Sequence, residues 1–226
     1  MFEDRRIVDL SHLMIPGREE YGLELITHNT ADVYPQYRVD SGTWYILQSM
    51  NMGSHCGTHI EFPYHHNRNG MDAGSFPLNR LIGPCVLFDF TYKKKNEAVS
   101  REEIEDAGDK HPELQIQPGD MVLFNFRVSG NYGTEKGHDR PYISEAAVRW
   151  LADEKKINLI GSDASGIEVK GVPNQPNHQY LMDREIPIIE FANNLDALQK
   201  KRFTLFVLAL RIRGLDSCPV RLIAVE

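Results

Sequence analysis

Short apolar runs separated by glycine- and proline-marked polar stretches dominate this chain, and helical stripes are few. Residues 7–10 predict a first strand, followed by an irregular region through Asp40 punctuated by Pro16, Gly17, Gly22 and Pro35. Residues 44–50 are aromatic and aliphatic enough for a strand that leads into a histidine-rich segment. Further strands are expected over 84–90, 121–126, 158–161, 186–191, 203–212 and 220–225. Ser100 with Glu103 forms a capping-box pattern, which starts a helix that stops near Gly108. Ser144 caps a second helix over 145–155, with Ala147, Val148, Leu151 and Ala152 on its apolar side. A short third helix is expected over 178–184, whereas 129–139 and 166–177 read as loops. Many strands and few helices, with no repeat or linker, predict one mixed α/β or α+β domain over residues 1–226.

Composition narrows the function more than the fold. The chain has 226 residues, 41% of them hydrophobic and 25% charged, which suits a single well-buried core. A formal net charge of -7 argues against nucleic acid or an anionic membrane surface as the main partner and says nothing sharper. No apolar run approaches the ~18 residues of a membrane span. The opening residues, Met1 to Arg6, run into a short apolar stretch and then Ser11-His12, so no signal peptide is expected. Cys56, Cys85 and Cys218 are odd in number and form no CxxC pair. They exclude a disulfide framework and a cysteine-rich zinc site, and the expected location is the cytoplasm.

The chemistry is concentrated in residues 54–66, which hold four of the nine histidines and one carboxylate. His55 and His59 have the spacing of one helix face, but Gly57 and Pro63 are poor in a helix interior. In an extended chain, residues 55, 57, 59, 61, 63 and 65 share one face. A straight strand would hold His55 and His59 roughly 13 Å apart at the backbone. One ion with bonds of ~2 Å cannot span that gap, so the chain must bend, and Gly57 is the residue that permits it. Imidazole plus carboxylate suits Zn²⁺, with Mn²⁺ or Fe²⁺ as alternatives. Such an ion acidifies a water and polarises a carbonyl, while His65 is free to move protons.

Several neighbours carry two readings. Cys56 is either a nucleophile beside the histidines or a packing residue, and the face it occupies favours packing. Asp163, at a strand end, either orients a ligand imidazole or caps a turn. Trp44, Tyr45, Phe62 and Tyr64 either line an aromatic pocket or fill the core.

The pattern His55-x-Gly57-Thr58-His59-x-Glu61-x-Pro63-x-His65 closely resembles the HxGTHxDxPxH signature of the cyclase/metal-dependent hydrolase family, which includes bacterial kynurenine formamidases and isatin hydrolases. Val8-Asp9-Leu10-Ser11-His12, Leu159-Ile160-Gly161-Ser162-Asp163 and Gly214-x-x-Ser217-x-Pro219-Val220-Arg221 resemble further segments of the same family. The resemblance implies an α/β domain of the swivelling β/β/α type, with a partly barrel-like mixed sheet and helices outside. It implies that His55, His59 and Glu61 bind metal, that His65 is the catalytic acid/base, and that His178 and Glu190, twelve residues apart, complete the ligand set. Zn²⁺, as one or two ions, is the expected cofactor. The implied activity is hydrolysis of a small amide, an aryl-formamide or cyclic amide, by a homodimer or homotetramer. The alternatives are a lactone hydrolase or polyketide-type cyclase at the same site, or a non-catalytic metal- or ligand-binding member of the fold. Glu61 stands where the family has Asp, one methylene longer, so the number of ions hinges on where its two oxygens fall.

Overall fold

The computed structural model describes residues 5–37, 40 and 42–226. Met1 to Asp4, which carry most of the signal-peptide expectation, lie outside the described residues. The first half contains β1 (Ile7–Asp9), β2 (Leu23–Asn29), α1 (Thr30–Val33), β3 (Ile46–Met52), β4 (His59–Glu61) and β5 (Ile82–Asp89). Next come β6 (Ala98–Val99), α2 (Arg101–Lys110), β7 (Met121–Asn125), β8 (Tyr142–Ile143) and α3 (Glu145–Asp153). The chain ends with β9 (Leu159–Ser162), α4 (Pro176–Met182), β10 (Ile188–Glu190), β11 (Arg202–Ala209) and β12 (Ser217–Val225).

The main sheet runs β1-β12-β11-β5-β7-β9-β10-β4, and a further pairing of β12 with β4 closes seven of its strands into a mixed barrel. Strands β5, β7, β9 and β10 are parallel neighbours, and antiparallel pairings complete the ring. The two faces of these strands part the core. Cys85 and Leu87, Met121 and Leu123, Leu159 and Ile189 point into the barrel with Ile60, Leu205 and Leu222. Val86 and Phe88, Val122 and Phe124, Ile160 and Ile188 point outward, where Ile104, Val148, Leu151 and Leu181 of the helices cover them. Both faces being buried explains why these strands read as continuous apolar runs.

The capping box forms as expected: the Ser100 side chain accepts from the Glu103 amide, and the Glu103 carboxylate accepts from the Ser100 amide. The irregular reading of the early region needs correction, because residues 23–29 are a strand. β2 pairs with β3 over seven residues as a separate two-stranded ribbon, mostly exposed on both faces. The β3 partner agrees with the strand expected over 44–50, whereas β2, with neither face against the core, carries no sustained apolar alternation in the sequence. The last strand begins at Ser217 instead of residue 220, and its first three residues pair with β4.

Gly161 of β9 lies so near β10 that an added Cβ would sit 2.5 Å from the Ile189 Cβ and 2.8 Å from its carbonyl oxygen. Gly161→Ala is therefore expected to cost about 1–3 kcal/mol. Urea unfolding should show a lower midpoint at unchanged slope, and an unchanged midpoint would contradict this close approach.

Candidate metal centre

Register brings the site together. On the antiparallel pair β4–β10, Glu190 stands opposite His59 and Ile188 opposite Glu61. Opposed residues share a face, so His59, Glu61 and Glu190 all project outward on the side of Ile188, while Ile60 and Ile189 face the barrel interior. His178, in the first turns of α4, meets them from the helical layer and is itself buried. The expected bend occurs at Gly57, whose φ is +66° and whose missing Cβ leaves room for the Met14 side chain. It folds His55 back until its ring centroid is 5.1 Å from that of His59. After Glu61 the chain turns again through a short 3-10 turn at Pro63–His65, which brings His65 to 4.6 Å from His55 by ring centroid. The shared face expected of the whole cluster thus holds for His59 and Glu61, and two turns deliver the outer histidines.

Glu61 is the hub. Its Oε1 lies 3.0 Å from His55 Nδ1 and 3.8 Å from His59 Nε2. Its Oε2 lies 3.1 Å from His178 Nε2, which in turn is 3.4 Å from Glu190 Oε1. The two carboxylate oxygens therefore address two donor sets, His55–His59–Glu61 and Glu61–His178–Glu190. The longer arm of Glu61 still turns one oxygen toward each donor set. Burial would raise its carboxyl pKa, but contacts with His178, His55 and His59 outweigh burial and hold it well below the usual carboxylate range.

The ring nitrogens are oriented from behind. His59 Nδ1 donates to the Gly57 carbonyl at 2.9 Å, so its Nε2 faces the site as a lone pair. His178 Nδ1 donates to Glu168 Oε2 at 2.5 Å, and Glu168 also accepts from the His178 amide. His59 Nε2 and Glu61 Oε2 are buried without a hydrogen-bond partner; His178 Nε2, though near Glu61 Oε2, is not in hydrogen-bond geometry. Burial opposes a charge on His178, yet Glu168, Glu190 and Glu61 push its pKa well above the ordinary value. The pocket thus favours positive charge among converging lone pairs. A divalent cation fits this donor set.

Asp216 has no place in the sequence reading and proves central. Its Oδ2 lies 2.8 Å from His65 Nδ1 and 3.1 Å from His55 Nε2, and these two contacts hold its carboxyl far below the usual range. Glu168 was missed likewise. Asp216 sits inside the segment resembling the family's last-strand approach, at one of the unspecified positions between Gly214 and Ser217. Asp163 settles its two readings by accepting from the amides of Phe126, Val128 and Ser129, so it anchors a loop and touches no ligand. Cys56 is buried, and burial followed by Glu19 raises its thiol to about 11, which removes the nucleophile reading. Phe62 is core, whereas Trp44, Tyr45 and Tyr64 are exposed and do not line the site. The cavity over the centre, about 520 Å³, is walled instead by Tyr21, His138, Arg140 and the 165–172 loop.

Fold and site together define an α/β barrel protein with a paired histidine–carboxylate centre on the barrel's outer face. The family model "Cyclase: Putative cyclase" matches residues 8–169, and the chain belongs to that family. It is 29% identical over 219 residues to a kynurenine formamidase of Erythrobacter litoralis, covering 94% of this chain and 90% of that one. It superposes on an isatin hydrolase bound to the product analogue thioisatinate with a TM-score of 0.85, at 19% identity, covering 99% of this chain and 93% of the other. A "predicted metal-dependent hydrolase" from Bacillus stearothermophilus matches with a TM-score of 0.75, at 27% identity and 98% coverage of both chains.

Glu61→Ala takes a donor from both sets at once. Metal analysis of the purified protein is expected to give at least one ion per chain, and this variant should lose it; full retention would remove Glu61 from the centre. A separate consequence concerns His12, which stacks on Tyr132 with ring centroids 4.2 Å apart. Burial lowers its pKa to about 4, against a weaker opposing pull from Glu19. Between that value and its unfolded pKa near 6.5 the unfolded chain binds the proton and the folded chain does not, so stability falls as pH drops through the window. Thermal melts across it should show a smaller fall for His12→Phe, which keeps the stack without the titrating ring. An identical fall would contradict burial of neutral His12.

Proposed function

We propose that this chain is a divalent-metal-dependent hydrolase of small amides, acting on an aryl-formamide or a cyclic amide. The observation that carries the reading is Glu61 shared between two three-donor sets, with the His65–Asp216 pair alongside. His55, His59 and Glu61 would hold one ion and Glu61, His178 and Glu190 a second, with Zn²⁺ suited to these donors and Mn²⁺ or Fe²⁺ as alternatives. When bound, the metal polarises the substrate carbonyl and acidifies water.

The chain's own groups do the rest. Asp216 accepts from His65 Nδ1 and fixes the ring, so that Nε2, 3.8 Å from Glu61 Oε1, faces the reacting centre as a base. From there His65 takes a proton as the carbonyl is attacked and returns it to the departing amine. Glu168, held against His178 Nδ1, keeps that ring's Nε2 toward Glu61 and Glu190. The kynurenine formamidase relatives favour an amide substrate over the lactone and polyketide-cyclase alternatives. A homodimer or homotetramer remains the proposed assembly, which the exposed apolar side chains of the β2–β3 ribbon, Leu25, Ile26, Leu47 and Met50, support. Among the described residues no helix is long and apolar enough to cross a membrane.

A formanilide hydrolysis assay on metal-loaded protein tests the reading. A chelator should abolish the activity and a thiol alkylator should leave it intact, because Cys56 is buried. His65→Ala should lower kcat by about 10²–10⁴-fold with metal content unchanged. Full activity in that variant would remove the acid/base role.

A further inference from the structure

Arg140 is a buried cation beside the metal centre whose charge the site itself does not answer. Its side chain is 6% exposed and lines the same cavity as His59, Glu61 and Glu190. Its hydrogen bonds run to neutral acceptors: Nε to the Gly166 carbonyl, Nη1 to the Ser165 hydroxyl at 3.0 Å and to the His138 carbonyl at 3.4 Å. Among the described residues it has no carboxylate in ion-pair contact, and Nη2 has no hydrogen-bond acceptor. Gly166, with φ +129°, keeps space for that nitrogen, since an added Cβ would lie 2.5 Å from it. Glu190 and Glu168 act on the guanidinium only through space.

Neither of those acids is free to neutralise it. Glu168 is committed to His178 Nδ1, and Glu190 belongs to a donor set whose charge a bound cation would take up. Lys170, on the exposed rim of the cavity, adds charge of the same sign. A desolvated charge without a counter-ion is costly, and a guanidinium presents a planar fork suited to a carboxylate. We infer that Arg140 selects substrates carrying a carboxylate, so that the amide hydrolysed is an anionic one whose acid group docks on Arg140 while its carbonyl lies at the metal centre. This rests on the reading of the site as a metal-dependent amide hydrolase. A cavity of about 520 Å³ accommodates one aromatic ring with both groups.

The test compares formanilide with its ortho-, meta- and para-carboxylate derivatives on metal-loaded full-length protein, in wild type, Arg140→Gln and Arg140→Lys. Wild type should prefer at least one carboxylated isomer over formanilide. Arg140→Gln should lose roughly 10- to 100-fold in kcat/KM for that isomer, mostly through KM. Its formanilide kinetics and metal content should stay unchanged, and Arg140→Lys should recover part of the loss. Equal losses on neutral and anionic substrates would make Arg140 a structural clamp of residues 165–166 and overturn the inference, as would a wild type indifferent to the carboxylate. Calorimetric titration with benzoate and benzamide keeps the two readings separable. If no formanilide is hydrolysed, the amide-hydrolase reading fails; benzoate binding weakened in Arg140→Gln would still support the anion site, and binding equal to wild type would overturn it.

Discussion

One buried carboxylate sets the terms for the rest of this structure. Glu61 is 4% exposed on a strand of three residues, and a charge so placed is tolerated only when opposite charge or strong donors surround it. Four imidazoles come within 4 Å of its oxygens: His59 from its own strand, His55 from across the Gly57 bend, His65 from the turn that follows Glu61, and His178 from α4. Each is steered by a partner further out, namely the Gly57 carbonyl, Asp216 and Glu168. Removing Glu61 would leave like-natured rings crowded with nothing to face.

The barrel makes this convergence cheap. Because β10 lies beside β4 in fixed antiparallel register, one pairing places Glu190 opposite His59 without any loop having to find its position. The same strands bury Ile60 and Ile189 in the barrel, so slipping by one residue would turn the ligands inward and the apolar side chains outward. Core packing and ligand geometry are therefore specified by the same alternation. Loops, in contrast, build the cavity wall, where Arg140 and the 165–172 segment face the centre.

The divided electrostatics follow from that layout. Glu61 and Glu190 on the strands favour a cation, while Arg140, close to Glu190 across the Gly166 backbone, keeps its hydrogen bonds among neutral acceptors. On the proposed reading, one end of a ligand would meet the metal-binding groups and the other the guanidinium.

Much of this was legible in the sequence by itself. Buried strands declare themselves as apolar runs, Ser100 and Ser144 mark helix starts through their capping chemistry, and residues 54–66 announce metal chemistry by density alone. The need for a bend at Gly57 followed from bond lengths, and the distant pair His178 and Glu190 from resemblance. What the sequence could not express was anything resting on long-range placement. Strand β2 has no buried face to mark it and finds its place only by pairing with β3. Asp216, Glu168 and Arg140 have no local signal, because an acid or a guanidinium acquires its role only from what stands opposite it. Local physics determined the elements and the metal-binding motif; closure of the barrel decided which charges meet.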